Sequence, residues 1–192
     1  MRNKCEVRKT AAFITNFQSP VELDDLVDRY ERGKITNLDM ILGHKRFTPL
    51  EWTVDKDASV GDTVYFMCAK TSADHMGHLC ALLRNMKMEG EDLYAFALTQ
   101  RSAYREYAGS IVAVGHVGEK PFQTDVSGWD ARYWRSPWYA KIENMELLNR
   151  PVNIAEFRDF IKVSRTGAIT KLNMEQNQKL QMLIESTKNQ GI

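Results

Sequence analysis

The stretch Gly61-Asp62-Thr63-Val64-Tyr65-Phe66-Met67-Cys68-Ala69-Lys70-Thr71-Ser72 decides how this chain folds. Val60-Gly61-Asp62 reads as a turn, because glycine reaches the positive φ that such turns need. Thr63 to Cys68 are β-branched, aromatic or sulfur-bearing, the composition of a strand buried on both faces. The run then stops on Ala69-Lys70-Thr71-Ser72, a small polar loop where a ligand can come close to the backbone. Ile111-Val112-Ala113-Val114-Gly115-His116-Val117 reads as the partner strand. A tryptophan-rich segment, Ser127 to Trp138, follows. The mouth formed by these pieces is the expected binding site.

Around that centre, 192 residues suit one domain with a real core. Hydrophobic residues at 43% and charged residues at 27% argue against disorder. A net charge of +1 gives no bulk signature of nucleic-acid binding, although a local basic patch stays open. No apolar run approaches the ~20 residues that cross a bilayer, and Met1 to Thr10 lack the apolar core of a secretory signal. Three cysteines without paired spacing suit a reducing, cytoplasmic setting.

Toward the N-terminus, Ala11 to Thr15 reads as a first strand. Ser19-Pro20-Val21-Glu22 carries a capping-box signature, and Leu23, Leu26, Val27 and Tyr30 form the apolar stripe of the helix it opens. Gly33 is the expected stop. Lys34 to Ser59 is less regular. His44-Lys45-Arg46 within it reads either as an exposed turn or as a phosphate contact beside a base pocket.

Past the central strand, His75 to Lys87 places Met76, Leu79, Cys80 and Leu83 at helical spacing. Glu91 to Tyr107 places Leu93, Phe96, Ala97, Tyr104 and Tyr107 at similar offsets. A hairpin turning at Gly90 competes, but alternation is poor in both arms, so two helices are expected. Further on, Trp138, Ala140 and Ile142 alternate with polar neighbours, the mark of a strand with one buried face. Asn153 with Glu156 repeats the capping signature. Asn173 can cap a last helix whose apolar side is Leu180, Leu183 and Ile184. No glycine-rich loop leads a strand into a helix, so dinucleotide and P-loop binding are not supported. The expected class is α+β: a small curled sheet or barrel with flanking helices.

Three constellations compete for chemistry. Asp74, His75, His78 and Cys80 lie close in sequence, but without a second ligand pair at metal spacing a structural helix face fits better, and no metal or cofactor is expected. Cys68 and His116 could meet across neighbouring strands, yet a buried cysteine usually behaves as a small hydrophobe. The tryptophans are the stronger signal. Trp138 and Trp134 read as core, whereas Trp129 follows a Val126-Ser127-Gly128 turn and is placed either to stack on an unpaired base, worth roughly 1–3 kcal/mol, or to plug the barrel end.

At these residues the chain resembles a known group. Val60 to Phe66 with its small polar loop, Ala108 to Gly115, Trp134 to Ile142, and Ile154 to Leu172 are similar to pieces of the EVE and YTH branch of the PUA-like superfamily. The resemblance spans most of Ala11 to Ile184 in scattered pieces. It implies one PUA-like domain over 1–192, a β-barrel with an end-on pocket that binds a modified base in DNA or RNA, and no catalysis of its own. Carried over by position, Cys68, Ala69, Lys70 and Thr71 would contact the base edge. Trp129, beside Ser127, would form one wall and Trp52 a second. Thr15 and Asn16 would close the floor. Lys45, Arg46, Lys70 and Arg132 would meet phosphate. Residues 73–107 depart from the group's pattern and read as a helical insertion, a cover for the pocket or a surface for a protein partner. The other readings are a small-molecule enzyme using Cys68, Lys70 and His116, or an interaction module using the inserted helices.

Overall fold

In the computed structural model, which describes residues 10–46, 48–123, 137–164 and 168–188, seven strands form one sheet and helices cover both of its faces. In chain order the elements are β1 (Ala12–Phe17), α1 (Leu23–Glu31), α2 (Asn37–Leu42), β2 (Leu50–Thr53), β3 (Thr63–Cys68), α3 (Ser72–Asn85) and α4 (Asp92–Tyr107). Then come β4 (Ser110–Val117), β5 (Phe122–Gln123), β6 (Trp138–Asn153), α5 (Ile154–Phe157), β7 (Ile169–Leu172) and α6 (Met174–Lys188). The sheet order is β2-β6-β4-β3-β1-β7, with β5 paired to β6. The architecture is α+β, as the mixture of periods in the sequence requires.

β3 is central, and all six of its residues are buried. Val64, Phe66 and Cys68 face one core, together with Phe13 and Phe17 of β1 and side chains of α1 to α4. Tyr65 and Met67 face the other, with Ile14, Phe157, Leu180 and Ile184. The period-two alternation of a strand thus divides one apolar run between two cores, which is why no polar residue interrupts it. β1 and β3 run parallel; the other pairings are antiparallel. A parallel pair ends at the same edge of the sheet, so the chain leaves both strands side by side, into Gln18 and into Ala69.

The sheet is curled, and one set of contacts measures the curl. β2 is separated from β1 by β6, β4 and β3. Four flat strand spacings would put them about 19 Å apart. Instead Thr15 Oγ1 on β1 donates to Thr53 O on β2 at 3.4 Å, and Trp52 Nε1 donates to Thr15 Oγ1 at 3.2 Å. Across the same seam Lys171 of β7 pairs with Asp55 (3.0 Å) and Asp57 (3.4 Å), just after β2. Side chains rather than backbone hydrogen bonds therefore draw the two edges together. The β4–β6 approach is close at Gly115, where an added Cβ would lie 2.6 Å from Ile142 Cγ2.

α3 and α4 form over the segments where two helices are expected. Met76, Leu79, Leu83, Phe96 and Tyr104 enter the core, and Tyr104 Oη accepts from Leu38 N at 3.2 Å. α2 and β2 add order to the stretch read as irregular. α2 is short, but Thr36 and Asp39 close a capping box at its start. The expected box at Ser19 is not used: α1 begins at Leu23, and Ser19 bonds with Ser72 instead. A tertiary partner has displaced a local cap. The Asn153–Glu156 box does form, although the helix it opens, α5, has four residues. Asn173 and Gln176 cap α6 reciprocally, both at 2.9 Å.

Candidate functional site

Where β1 and β3 end together, α1, the start of α3 and the segment after α5 stand apart and leave a cleft of ≈ 970 Å³. That volume lies at the upper end of the range for small-ligand sites, about 300–1,000 Å³. Asn16, Ala69, Lys70 and Thr71 line it, so four of the expected contact residues come together at one mouth. The floor between them is tied down by Ala69 N donating to Phe17 O at 2.7 Å, and by Ser19 Oγ donating to Ser72 O at 2.9 Å.

Other expected contacts are elsewhere. Trp52 is not a wall of the cleft. It is 2% exposed and packs edge-on against Phe66 and Phe17, with ring centroids 5.6 Å and 6.4 Å away. The curl of the sheet turns β2 inward and makes Trp52 core. Thr15 is likewise fully buried and bonded to Trp52 and Thr53, so it supports the cleft from behind. Cys68 is enclosed in the core, and burial pushes its thiol up to about 12. Lys45 and Arg46 do not line the cleft; Arg46 pairs with Glu146 of β6. Ser127, Trp129, Arg132 and Trp134 lie outside the described residues. His116 pairs with Thr63 at the opposite end of β3, about 16 Å along the strand from Cys68, so these two do not form a nucleophile–base pair.

Several cleft residues are not among the expected base contacts, and of these only His75 is singled out by the sequence, as part of a metal-like cluster. Asn37 opens α2, Thr53 closes β2, and His75 sits in the first turn of α3; all three line the cleft. Each has a buried polar atom without a hydrogen-bond partner among the described residues: Asn37 Oδ1, Thr53 Oγ1 and His75 Nδ1. Burial lowers the pKa of His75, against the pull of Asp74, which favours the neutral imidazole. Unmet buried polar groups are rare in folded proteins and mark places where something else supplies the partner.

Charge is distributed unevenly around the cleft. Among the described residues, Arg29, Lys70, Arg158 and Lys162 line it against a single carboxylate, Asp25. Lys70, Arg158 and Lys162 are exposed at the lip. Asp25 and Arg29 are recessed, and Arg29 Nε donates to Asp25 Oδ1 at 3.2 Å. Burial raises the Asp25 pKa, opposed by Arg29. In sequence the two are an acid and a base four apart on a helix, indistinguishable from an ordinary surface pair. Among the described residues no group of three or more His, Cys, Asp or Glu is placed to hold a metal ion, and no helix is long and apolar enough to cross a membrane.

No protein-family model and no curated protein matches the chain. Solved structures with a similar layout include the ASCH protein from Zymomonas mobilis, at 10% identity over 90% of this chain and 94% of that one, with a TM-score of 0.43. A protein from Agrobacterium tumefaciens matches at 8% identity over 91% and 93%, also with a TM-score of 0.43. A Rhodopseudomonas palustris protein matches at 8% over 88% and 90%, with a TM-score of 0.40. Likenesses this distant carry no residue's role over to this chain.

Proposed function

We propose that this protein binds single-stranded nucleic acid or a nucleotide by seating a base in the cleft at the ends of β1 and β3. The observation that carries the reading is that Asn37, Thr53 and His75, from three separate elements, line one cleft below exposed cations, each with a buried polar atom that has no partner among the described residues. A base edge offers donors and acceptors in one plane, the complement of an amide, a hydroxyl and an imidazole. The backbone beyond it offers the negative charge that Lys70, Arg158 and Lys162 would meet. The cleft has room for more than a plain base, which supports a base with an added substituent, the ligand class implied by the resemblance to EVE and YTH domains. Recognition here is by polar atoms and a neutral imidazole rather than by Trp52.

An enzyme built on Cys68, Lys70 and His116 is not favoured, because the thiol is enclosed and the histidine is at the far end of the strand. The test is fluorescence anisotropy with single-stranded DNA and RNA, plain and carrying altered bases, at low salt. One altered base should bind best. Replacing Lys70, Arg158 or Lys162 with alanine should weaken every oligonucleotide alike and flatten the salt dependence by about one unit of slope each. Asn37→Ala should instead erase the preference among bases. Absence of binding to any oligonucleotide or nucleotide sinks the reading.

A further inference from the structure

Arg29 is placed differently from the other cations of the cleft. Its side chain is 17% exposed and that of Asp25 is 6% exposed, whereas the side chains of the lip are in solvent. The single hydrogen bond of its side chain among the described residues is made by Nε. Among the described residues both Nη groups are left without a hydrogen-bond partner, on a side chain that keeps 17% of its surface exposed. Asp25, fixed on the preceding turn of α1, thus holds the guanidinium plane by one edge and leaves the terminal fork open. A long, flexible side chain has surrendered its rotamer freedom without using its two best donors. A planar fork of that kind matches the oxygens of a phosphate or carboxylate in a bidentate way.

Resting on the nucleobase reading above, we infer that Arg29, oriented by Asp25, seats a terminal phosphate monoester, so that the ligand is a nucleotide or a phosphorylated strand end rather than an internal stretch of strand. Two features select a monoester. An internal phosphodiester is flanked on both sides by sugar and cannot reach a recessed fork, while a terminal phosphate can enter alone. The surrounding charge also fits: among the described residues, four basic side chains against one carboxylate favour a group carrying close to two negative charges over one carrying a single charge. Asp25 is a positioning residue here, and Arg29 is the contact.

The experiment compares ligands differing by one phosphate on the intact protein, by calorimetry. The probes are nucleosides against their 5′-monophosphates, and one oligonucleotide with a 5′-phosphate, with a 3′-phosphate or with neither. The wild type should bind the phosphorylated member at least tenfold more tightly, and the arm with the larger gain tells free nucleotide from strand end. Arg29→Lys keeps the charge but loses the fork. It should shrink that gain to about twofold and leave the unphosphorylated ligands nearly unchanged. Asp25→Asn should reduce the gain as well, and thermal unfolding of both variants checks that they fold. Equal wild-type affinity with and without the phosphate overturns the inference while leaving the nucleobase reading intact. Inorganic phosphate, as a further probe, bound in an Arg29-dependent manner with no nucleotide or oligonucleotide bound, sinks the nucleobase reading and with it the nucleotide or strand end as ligand. No binding of any probe overturns both.

Discussion

The indole Nε1 of Trp52 lies 3.2 Å from Thr15 Oγ1, although three strands separate β2 from β1 in the hydrogen-bonded order of the sheet. The same hydroxyl donates to Thr53 O, so one buried threonine satisfies a donor and an acceptor from the opposite edge. This bond and the Lys171 ion pairs hold the curl that brings Thr53 beside Asn16 in the cleft.

Thr15→Val preserves shape and removes that hydroxyl. It removes the hydrogen bond from the buried indole N–H and the one to the Thr53 carbonyl, so stability should fall by about 1–3 kcal/mol. Lys171→Ala breaks the seam's outer pairs, but Lys171 is 61% exposed, and the loss should stay at or below about 1 kcal/mol. Urea unfolding of the two variants checks the order. A Lys171 variant that costs more than the Thr15 variant would mean that ionic contacts, not the buried hydroxyl, close the sheet.

Thr53→Val should separate stability from binding. Thr53 is 3% exposed and its Oγ1 has no partner among the described residues, so the swap removes an unmet polar group without changing volume much. Unfolding should show unchanged or slightly raised stability. Affinity for the preferred nucleotide should drop several-fold in the same preparation. A variant that unfolds more easily and binds equally well contradicts the assignment.

Gly115→Ala places a methyl group 2.6 Å from Ile142 Cγ2, where β4 and β6 run close together. Overpacking of this kind costs typically about 1–3 kcal/mol. The drop should appear as a lower urea midpoint with an unchanged slope, since the unfolded chain is hardly altered.

Alkaline stability should depend on Cys68. Burial raises its thiol from 9.0 to about 12, and the folded state therefore keeps a proton that the unfolded chain gives up earlier. Stability from this group is full below pH 9 and declines as pH rises toward 12. The buried hydroxyls of Tyr65 and Tyr104 are shifted upward too, in the same direction. Unfolding measured between pH 9 and 12 should lose less stability per pH unit in Cys68→Ala than in the wild type. A thiol reagent should also leave Cys68 unmodified at about pH 8 until the protein unfolds.

What the sequence determined by itself is mostly local. The apolar run Thr63 to Cys68 called for a doubly covered strand, and the stripes in His75 to Lys87 and Glu91 to Tyr107 favoured two helices over a hairpin, because side-chain period follows from backbone geometry. Caps whose partners lie three residues away, at Asn153 and Asn173, were legible for the same reason. The loop Ala69 to Thr71 was legible as a mouth because a buried strand must end somewhere.

Tertiary structure alone decided which side of β2 faced inward, and so made Trp52 core rather than wall. It also turned Ser19 away from its helix toward Ser72, and it placed Asp25, Arg29, Asn37, Thr53 and His75 around one cleft. Apart from His75, which with its neighbours Asp74, His78 and Cys80 forms a metal-like cluster in sequence, none of these residues differs in type or spacing from ordinary helix and strand surface. Their common position arises from the parallel pairing of β1 with β3 and from the curl of the sheet. Both depend on contacts between residues tens of positions apart, to which local periodicity is blind.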